Sequence, residues 1–568
     1  MDRNTVLAFA LSMIVFVGYV MYQEERRLEQ AVELELELDE QAVELLGEAE
    51  VGPGVVGPAP RVQREPEPSA SPGSGLVEQP PVVVAPRVSV LRNPQVVARI
   101  SNGPALIESW ALQEFDERLP DGNEPIELLD PEVPILTTDV AGLTGSSFAG
   151  QRYEVVSETE KEVVQRAVNA AGVFTRTIRL DPDGYGFDLE LAFESRRVDP
   201  VDAAFEVRIP ARVNDRADFR ELSLVAYDSA DGITREFVNG WGIPGFFDFG
   251  SAPASRANVA RKAKWTGMDV QFFSGVVIDP RDRARLDVDF DGIDPGDTAQ
   301  AIARLPAIAV GSGVAVEDRL RGFLGPKTAA ALGAADPSLQ QTVDRGWSWL
   351  EPLTRFFEVA LDWLYTIIPN YGWSIIVLTI LVRIVTAPLM VKQMRSAERM
   401  REVQPKIKAL QERYADDRQR QSEEMMKLYR EEKINPLGGC LPLLLQMPVL
   451  IGLFYALRTS IGLRHAPWIF WVNDLSQPAT LFTIPGVDFP VRLLPLIMGG
   501  SMYVQQKMMP QTGMDPVQAR MMLIMMPGMM LFISYTFPSG LVLYWLVSNL
   551  LGIGHQLLVR RKMQAASE

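Results

Sequence analysis

Cysteine and histidine are nearly missing from this chain: Cys440, His465 and His555 are the only ones among 568 residues. One thiol cannot close an intrachain disulfide, whatever the redox state around it. Three such side chains, far apart in sequence, leave too few ligands for a zinc site or a histidine-based triad. P-loop and kinase signatures are missing too. Gly52, Gly54 and Gly57 spell G-x-G-x-x-G, but Pro53 and Pro58 interrupt it and no strand or helix frames it, so no dinucleotide site is read there. The expectation is a protein with no catalytic residue, no metal, no cofactor and no nucleotide. A basic surface is also lacking over residues 1–350, which carry 33 basic and 56 acidic side chains (net −23), against 22 and 16 (net +6) in 351–568. That excludes a nucleic-acid-binding domain in the first part and leaves only the second part basic.

What is present is length without charge. Tyr371–Met390, YGWSIIVLTILVRIVTAPLM, is about 20 residues, enough at about 1.5 Å rise to cross the roughly 30 Å hydrocarbon layer. It contains one cation, Arg383. A guanidinium near the bilayer centre costs about 2.5 to 3.5 kcal/mol on insertion scales, so it is expected to face a polar cavity. The alternative is that Arg383 snorkels toward the basic stretch that begins at Lys392.

Read in order, the chain begins with an apolar segment, Asn4–Tyr22, with no A-x-A site after it, which is expected to be a retained signal anchor (domain 1–23). Residues 24–86, first Glu-rich and then rich in Pro, Gly and Val, form a linker. From about Arg87 to Ala315 the period is two, as in VFTRTIRL (173–180), GFDLELAF (186–193), FEVRIP (205–210) and LDVDFDG (286–292). Short strands without long helices between them predict an antiparallel β-sandwich, placed with a helical tail at 87–345. A carbohydrate-active sandwich is conceivable from its many acids. No local pair of carboxylates stands out as acid and base, and solvated strand faces account for the charge.

After Val316 the pattern turns helical. Ser348–Ile368 has Ser348 and Glu351 spaced as a capping box, and Leu353, Phe356, Phe357, Ala360, Leu361 and Leu364 on one stripe. With Trp347, Trp349, Trp363 and Tyr365 nearby, residues 346–369 read as a helix lying in the membrane interface, or else as an ordinary amphipathic core helix. A span follows at 370–391. Residues 392–434 then read as a charged helical hairpin turning at Ala415–Asp417, on the cytoplasmic side by its Lys and Arg content. Four more spans fit 435–562, at about 441–458, 491–508, 520–537 and 540–558, with 563–568 as a tail. Six spans put both termini inside and the sandwich outside the cytoplasm.

Polar residues within the spans include Thr379, Gln446, Gln505, Gln506, Tyr544, Ser548 and Asn549. Thr379 is one turn before Arg383 on the same face, so the two are placed to line one wet cavity. Gln446, beside Met447 and Pro448, needs a partner for its amide. Singly, each residue also fits a plain interhelical hydrogen bond. Eleven methionines between Met498 and Met530 suit an adaptable apolar surface or simple gap-filling in a bundle.

INPLGGCLPLLLQMP (434–448), FPSGLVLYWLVSN (537–549), LVRIVTAPL with its arginine, QPKI (404–407) and EEMMKLYREEKINP (423–436) together resemble the YidC/Oxa1/Alb3 family of membrane protein insertases, in its Gram-negative form. WTGMDVQFF (265–273), FLGPK (323–327) and DRGW (344–347) resemble pieces of the extra periplasmic domain of that form. The resemblance implies an α-helical polytopic membrane protein of six spans. A five-helix conserved core would enclose a hydrophilic groove, and a large antiparallel β-sandwich would lie in the periplasm. It implies an inner-membrane insertase and chaperone acting alone or with the Sec translocon. Its partners would be nascent membrane proteins, lipid, and the ribosome through the hairpin and C-terminus. Arg383, Thr379 and Tyr544 match groove positions, and Met447 and Pro448 match a substrate-contacting helix. The long Glu-rich linker departs from the family pattern. A secondary transporter or channel binding an anionic solute at Arg383 is the rival reading, but paired broken helices in a repeat are not seen. An anchored sugar-processing enzyme is a second rival.

Overall fold

The computed structural model describes residues 84–565 apart from short internal stretches, the longest being 214–221, 239–255, 433–440 and 509–515. The expected N-terminal anchor, nearly all of the linker, and Cys440 lie outside the described residues.

Between Val88 and Pro326 the chain forms eighteen strands whose pairings are antiparallel. The local cause is visible in the hairpin Gly172–Leu180 and Gly186–Ser195, registered from Gly172 opposite Ser195 to Leu180 opposite Phe187. Gly184 sits in the turn at φ 92°, a conformation that an L side chain adopts only with strain. Alternation then sends Phe174, Ile178, Leu189, Leu191 and Phe193 inward, onto a core shared with Trp110, Phe148 and Phe205. The expected strands at 173–180, 186–193, 205–210 and 286–292 are all present.

Two expectations are corrected. The strand region does not end near Val316: Ala315–Pro326 is a twelve-residue strand pairing with Gly186–Ser195 on one side and Phe273–Ile278 on the other. Its second half is buried, so RGFLGP loses the alternation that marks a half-exposed strand. The Ser348–Glu351 capping box does not form either. The helix starts at Glu351 with the apolar Leu350 as its N-cap, and the Glu351 amide that a Ser348 cap would need bonds the Trp347 carbonyl oxygen instead.

Eight α-helices are described: α1 (Ala329–Ala335), α2 (Glu351–Ile367), α3 (Tyr371–Arg413), α4 (Arg418–Glu431), α5 (Leu441–Thr459), α6 (Leu493–Met508), α7 (Pro516–Ser534) and α8 (Ser539–Ala565). The span at 370–391 and the first arm of the hairpin are one uninterrupted 43-residue helix, α3, with Pro388 and Pro405 inside it. α3 and α8 are each long and apolar enough to cross a membrane, over Tyr371–Pro388 and Ser539–Leu558. The apolar parts of α5 and α7, Met447–Thr459 and Arg520–Ser534, are shorter.

A second core joins α2, α3, α5, α6 and α8 through Phe357, Leu361, Ile375, Leu378, Leu453, Leu457, Leu494 and Leu541. α2 is apolar on more than one face: Phe357, Leu361 and Leu364 are buried, while Phe356, expected on the same stripe, is exposed with Val359 and Trp363. The strand domain meets this bundle directly. Gln271 donates to the Arg458 carbonyl oxygen at 3.0 Å, and Arg458 pairs with Asp344 at 3.4 Å. A short hairpin, Phe482–Ile484 with Phe489–Val491, precedes α6.

Candidate functional site: the Arg383 cluster

Several helix ends are tied down on the side of the strand domain. Asn370 caps α3 through the Trp373 amide and donates to the Pro467 carbonyl oxygen, and Ser539 at the head of α8 donates to the Gln477 carbonyl oxygen. Arg458 lies in the last turn of α5. From those ends, Arg383 on α3 lies twelve residues in, Met447 on α5 twelve residues before Thr459, and Gln505 on α6 twelve residues after Leu493. At about 1.5 Å per residue each is about 18 Å along its helix.

At that depth the Arg383 guanidinium bonds a hydroxyl. Nε and Nη2 both donate to Ser548 Oγ of α8, at 3.1 and 2.5 Å. Tyr544 lies one turn before Ser548 on the same face of α8 and is buried. Among the described residues no carboxylate pairs with Arg383, which is itself only partly buried. One turn after Ser548, Gly552 has no side chain, and a Cβ there would stand 2.6 Å from Gln505 Nε2 and 3.9 Å from Arg383 Nη2. The small residue leaves room for the Gln505 side chain of α6 against α8.

The expected site residues are thus partly assembled. Arg383 bonds Ser548, and Tyr544 lies one turn from that serine on the same face of α8. Thr379 is buried, and its hydroxyl is taken up by the Ile375 carbonyl oxygen at 2.6 Å in its own helix. Met447 is 40 % exposed on the outer part of α5, next to Pro448, which stands inside that helix. Gln446 falls within α5, but its side chain lies outside the described residues. Gln505 and Ser548 stood among the polar residues of the spans without being assigned to the site, and Gly552 was not named, although Tyr544, Ser548 and Gly552 recur every four residues, a polar and small stripe on one helix face. Nearby, Asn549 Nδ2 donates to Ser501 Oγ at 3.2 Å, an interhelical bond of the ordinary kind. No group of His, Cys, Asp and Glu fit to hold a metal occurs among the described residues.

The bundle and the strand domain each match a known family. Residues 363–566 match the 60Kd inner membrane protein family, and residues 88–358 match the YidC periplasmic domain. A membrane protein insertase YidC of Marinobacter nauticus is 34 % identical over 480 residues, covering 82 % of this chain and 80 % of that protein. This chain belongs to the YidC membrane protein insertase family. A YidC of Ectopseudomonas mendocina is 44 % identical over 265 residues, a match that covers 46 % of this chain and 43 % of that relative's length. The chain thus spans somewhat under half the length of several curated YidC relatives that it matches at higher identity. A crystal structure of an active YidC insertase with its first transmembrane domain resolved is similar at a TM-score of 0.34 and 18 % identity, covering 83 % of this chain and 94 % of that one. The match to the periplasmic-domain family ends within α2, and the match to the inner-membrane family holds all of the Arg383 cluster.

Proposed function

We propose that this YidC-family chain inserts and folds inner-membrane proteins through a wet groove built around Arg383. The observation that carries the reading is the partner of that cation: a hydroxyl and no carboxylate among the described residues, within a helix of spanning length and composition. A structural arginine inside a dry bundle would need a carboxylate or a full set of acceptors to offset its desolvation. Here the guanidinium keeps its charge and much of its hydration.

The topology that goes with this reading has six spans, the anchor at 1–23 among them, five of which form the core. The strand domain lies in the periplasm and α4 with the distal part of α3 in the cytoplasm. Exposed Trp347 and Trp349 just before α2, Trp363 near its end and Trp373 in the first turn of α3 support it, being the residue type of an aromatic belt at the membrane surface. A nascent apolar segment reaches the basic helical arm, with the ribosome or the Sec translocon as its source. Its polar or acidic flank enters the groove, where Arg383 lowers the cost of leaving water. Thr379 and Tyr544 shape the groove wall, and Gln446, Met447 and Pro448 on α5 present a surface along which the apolar part moves. That part leaves sideways into lipid, driven by about 25 cal/mol per Å² of apolar surface removed from water. No nucleotide or cofactor enters the cycle.

The test is Arg383→Leu in the full chain, reconstituted in liposomes and challenged with small single- and double-span substrates. Insertion of at least the substrates with charged flanks drops. Undiminished insertion of every substrate would remove the groove from the account.

A further inference from the structure

Between α5 and α6 the chain presents two apolar tips, and we infer that both insert into the boundary between headgroups and acyl chains of the leaflet on the strand-domain side. The first tip is Phe470. Its turn is closed by the Trp468 amide on the Val472 carbonyl oxygen at 2.9 Å and the Val472 amide on the Ile469 carbonyl oxygen at 3.1 Å. Phe470 has φ 55°, a left-handed conformation that suits Gly or Asn and strains a bulky side chain. It is nevertheless 85 % exposed, with Trp471 stacked on it at 6.0 Å. A strained position that buries so little within the protein is held for a contact outside it.

The second tip is the hairpin Phe482–Ile484 with Phe489–Val491. Phe482 lies opposite Val491 and Ile484 opposite Phe489, so the four share one face. Phe482 is 54 % exposed, Ile484 39 % and Phe489 49 %, although the Tyr535 ring covers part of Phe489, with 5.6 Å between centroids. A lone two-stranded ribbon is marginal in water, and this face needs a cover.

What covers the tips follows from where they are fixed. The first loop is tied to the head of α3. Asn370 donates to the Pro467 carbonyl oxygen at 3.0 Å, Trp373 meets Trp468 edge to face at 6.0 Å, and the bare Gly372 admits the Trp468 ring, since a Cβ there would stand 2.1 Å from it. The hairpin is tied to the head of α8: Tyr535 donates to the Pro490 carbonyl oxygen and Arg492 to the Tyr535 carbonyl oxygen, just before Ser539. α3 and α8 are the two described helices of spanning length and composition, so both tips ride where a span leaves the hydrocarbon. Charge is kept away from them. From Ala466 to Val491 only Asp474 and Asp488 are charged, and Asp474 accepts from the amide and hydroxyl of Ser476, each at 2.7 Å. Uncharged apolar tips at the ends of spans fit a lipid boundary.

The inference needs the spans and not the groove, and the experiment keeps the two apart. In the full chain with Cys440→Ser, one cysteine is introduced as Phe470→Cys, Ile484→Cys, Ile384→Cys or Val198→Cys. Each is labelled with a polarity-sensitive fluorophore and reconstituted in vesicles of phosphatidylethanolamine and phosphatidylglycerol, with a nitroxide lipid quenching either near the headgroup or near the chain end. Ile384, 63 % exposed within the α3 span, reports the hydrocarbon. Val198, 89 % exposed, reports water: it lies beyond Ser195, the end of Gly186–Ser195 remote from Phe273, about 30 Å along the strand. The labels at 470 and 484 are expected to emit to the blue of the label at 198 and to lose most of their emission to the shallow nitroxide. Emission at 470 and 484 as red and as unquenched as at 198 overturns the inference alone when the label at 384 is quenched by the deep nitroxide. If the label at 384 is unquenched as well, the span reading falls with it. Blue emission at 470 and 484 without quenching by either lipid also overturns the inference, because protein then covers the tips.

Discussion

Arg464, in the loop between α5 and α6, lies 5.5 Å over the ring of Phe273 and donates through Nη1 to the Asp116 carbonyl oxygen at 2.8 Å. Both partners belong to the strand domain, so this one side chain fastens the loop at the head of the helical bundle to the strands. A desolvated cation over an aromatic ring and one charged hydrogen bond are together worth about 1–3 kcal/mol. Arg464→Ala is expected to raise hydrogen exchange in residues 461–475 while leaving the strand core protected. Arg464→Lys, which cannot stack as a plane, recovers only part of the protection.

Acid should loosen the segment that links strands to helices. Burial pushes the Asp336 carboxyl up, but the Lys264 ammonium at 2.7 Å and the hydroxyl and amide of Ser338 hold it below the ordinary carboxylate range. A lowered folded-state value means stability that is present above the unfolded carboxylate pKa and lost as pH falls through the folded one. A thermal melt series from pH 7 to pH 3 on the parent and on Asp336→Asn is expected to show a steeper acid-side fall for the parent. At pH 7 the Asn variant is the less stable by about 1 kcal/mol at most, the scale of the lost ion pair, because an Asn side chain still caps the turn.

Gly322 lies opposite Phe187 across the pairing of Ala315–Pro326 with Gly186–Ser195, and a Cβ on it would fall 2.0 Å from the ring's Cζ. The ring also packs on Trp110, 5.3 Å between centroids, so it has nowhere to retreat. Gly322→Ala should cost about 1–3 kcal/mol through overpacking. Adding Phe187→Leu should recover part of that loss, a non-additivity that a double-mutant cycle of melting temperatures reads directly.

On α8, Gly552 faces the far end of a flexible side chain, Gln505 Nε2, and no rigid backbone. Gly552→Ala is therefore expected to lower the melting temperature little, since that amide is the far end of a flexible side chain and can swing aside. Gly552→Leu does not fit between α6 and α8, and it should both destabilise the bundle and depress insertion. Comparable melting temperatures for the two variants would show that the close approach of the helices does not depend on this residue.

The sequence made some of this architecture readable and hid the rest for physical reasons. Period-two alternation marked strands such as Gly172–Leu180 and puts Arg176 on the inward face with Phe174 and Ile178, but it could not say what satisfies a guanidinium there. That arginine is buried over the Tyr153 ring at 3.7 Å and bonded to Gln165 and Gly103, none of which is near it in sequence. Lys327 of FLGPK and Asp269 of WTGMD are likewise an ion pair at 2.9 Å across 58 positions, with Arg235 on the same carboxylate. At the candidate site, Arg383 stood out because a cation in an apolar run is costly wherever it points. Ser548 did not, because a serine in such a run is cheap and its meaning comes from a helix 165 positions away. Helix ends were legible at Pro538, where α7 and α8 part, and illegible at Met390, where nothing in the pattern says that α3 runs on.

That unbroken α3 makes a lever of about 65 Å at the standard helical rise. A displacement at its far end, near Arg413, is felt at Arg383 without any relay of side chains. Pro388 stands between the two, and its ring takes away the amide that the Ile384 carbonyl oxygen would otherwise receive. Pro405, nearer Arg413, does the same to the Arg401 carbonyl oxygen, so bending concentrates at these two points and twist from the charged far arm arrives at the guanidinium attenuated.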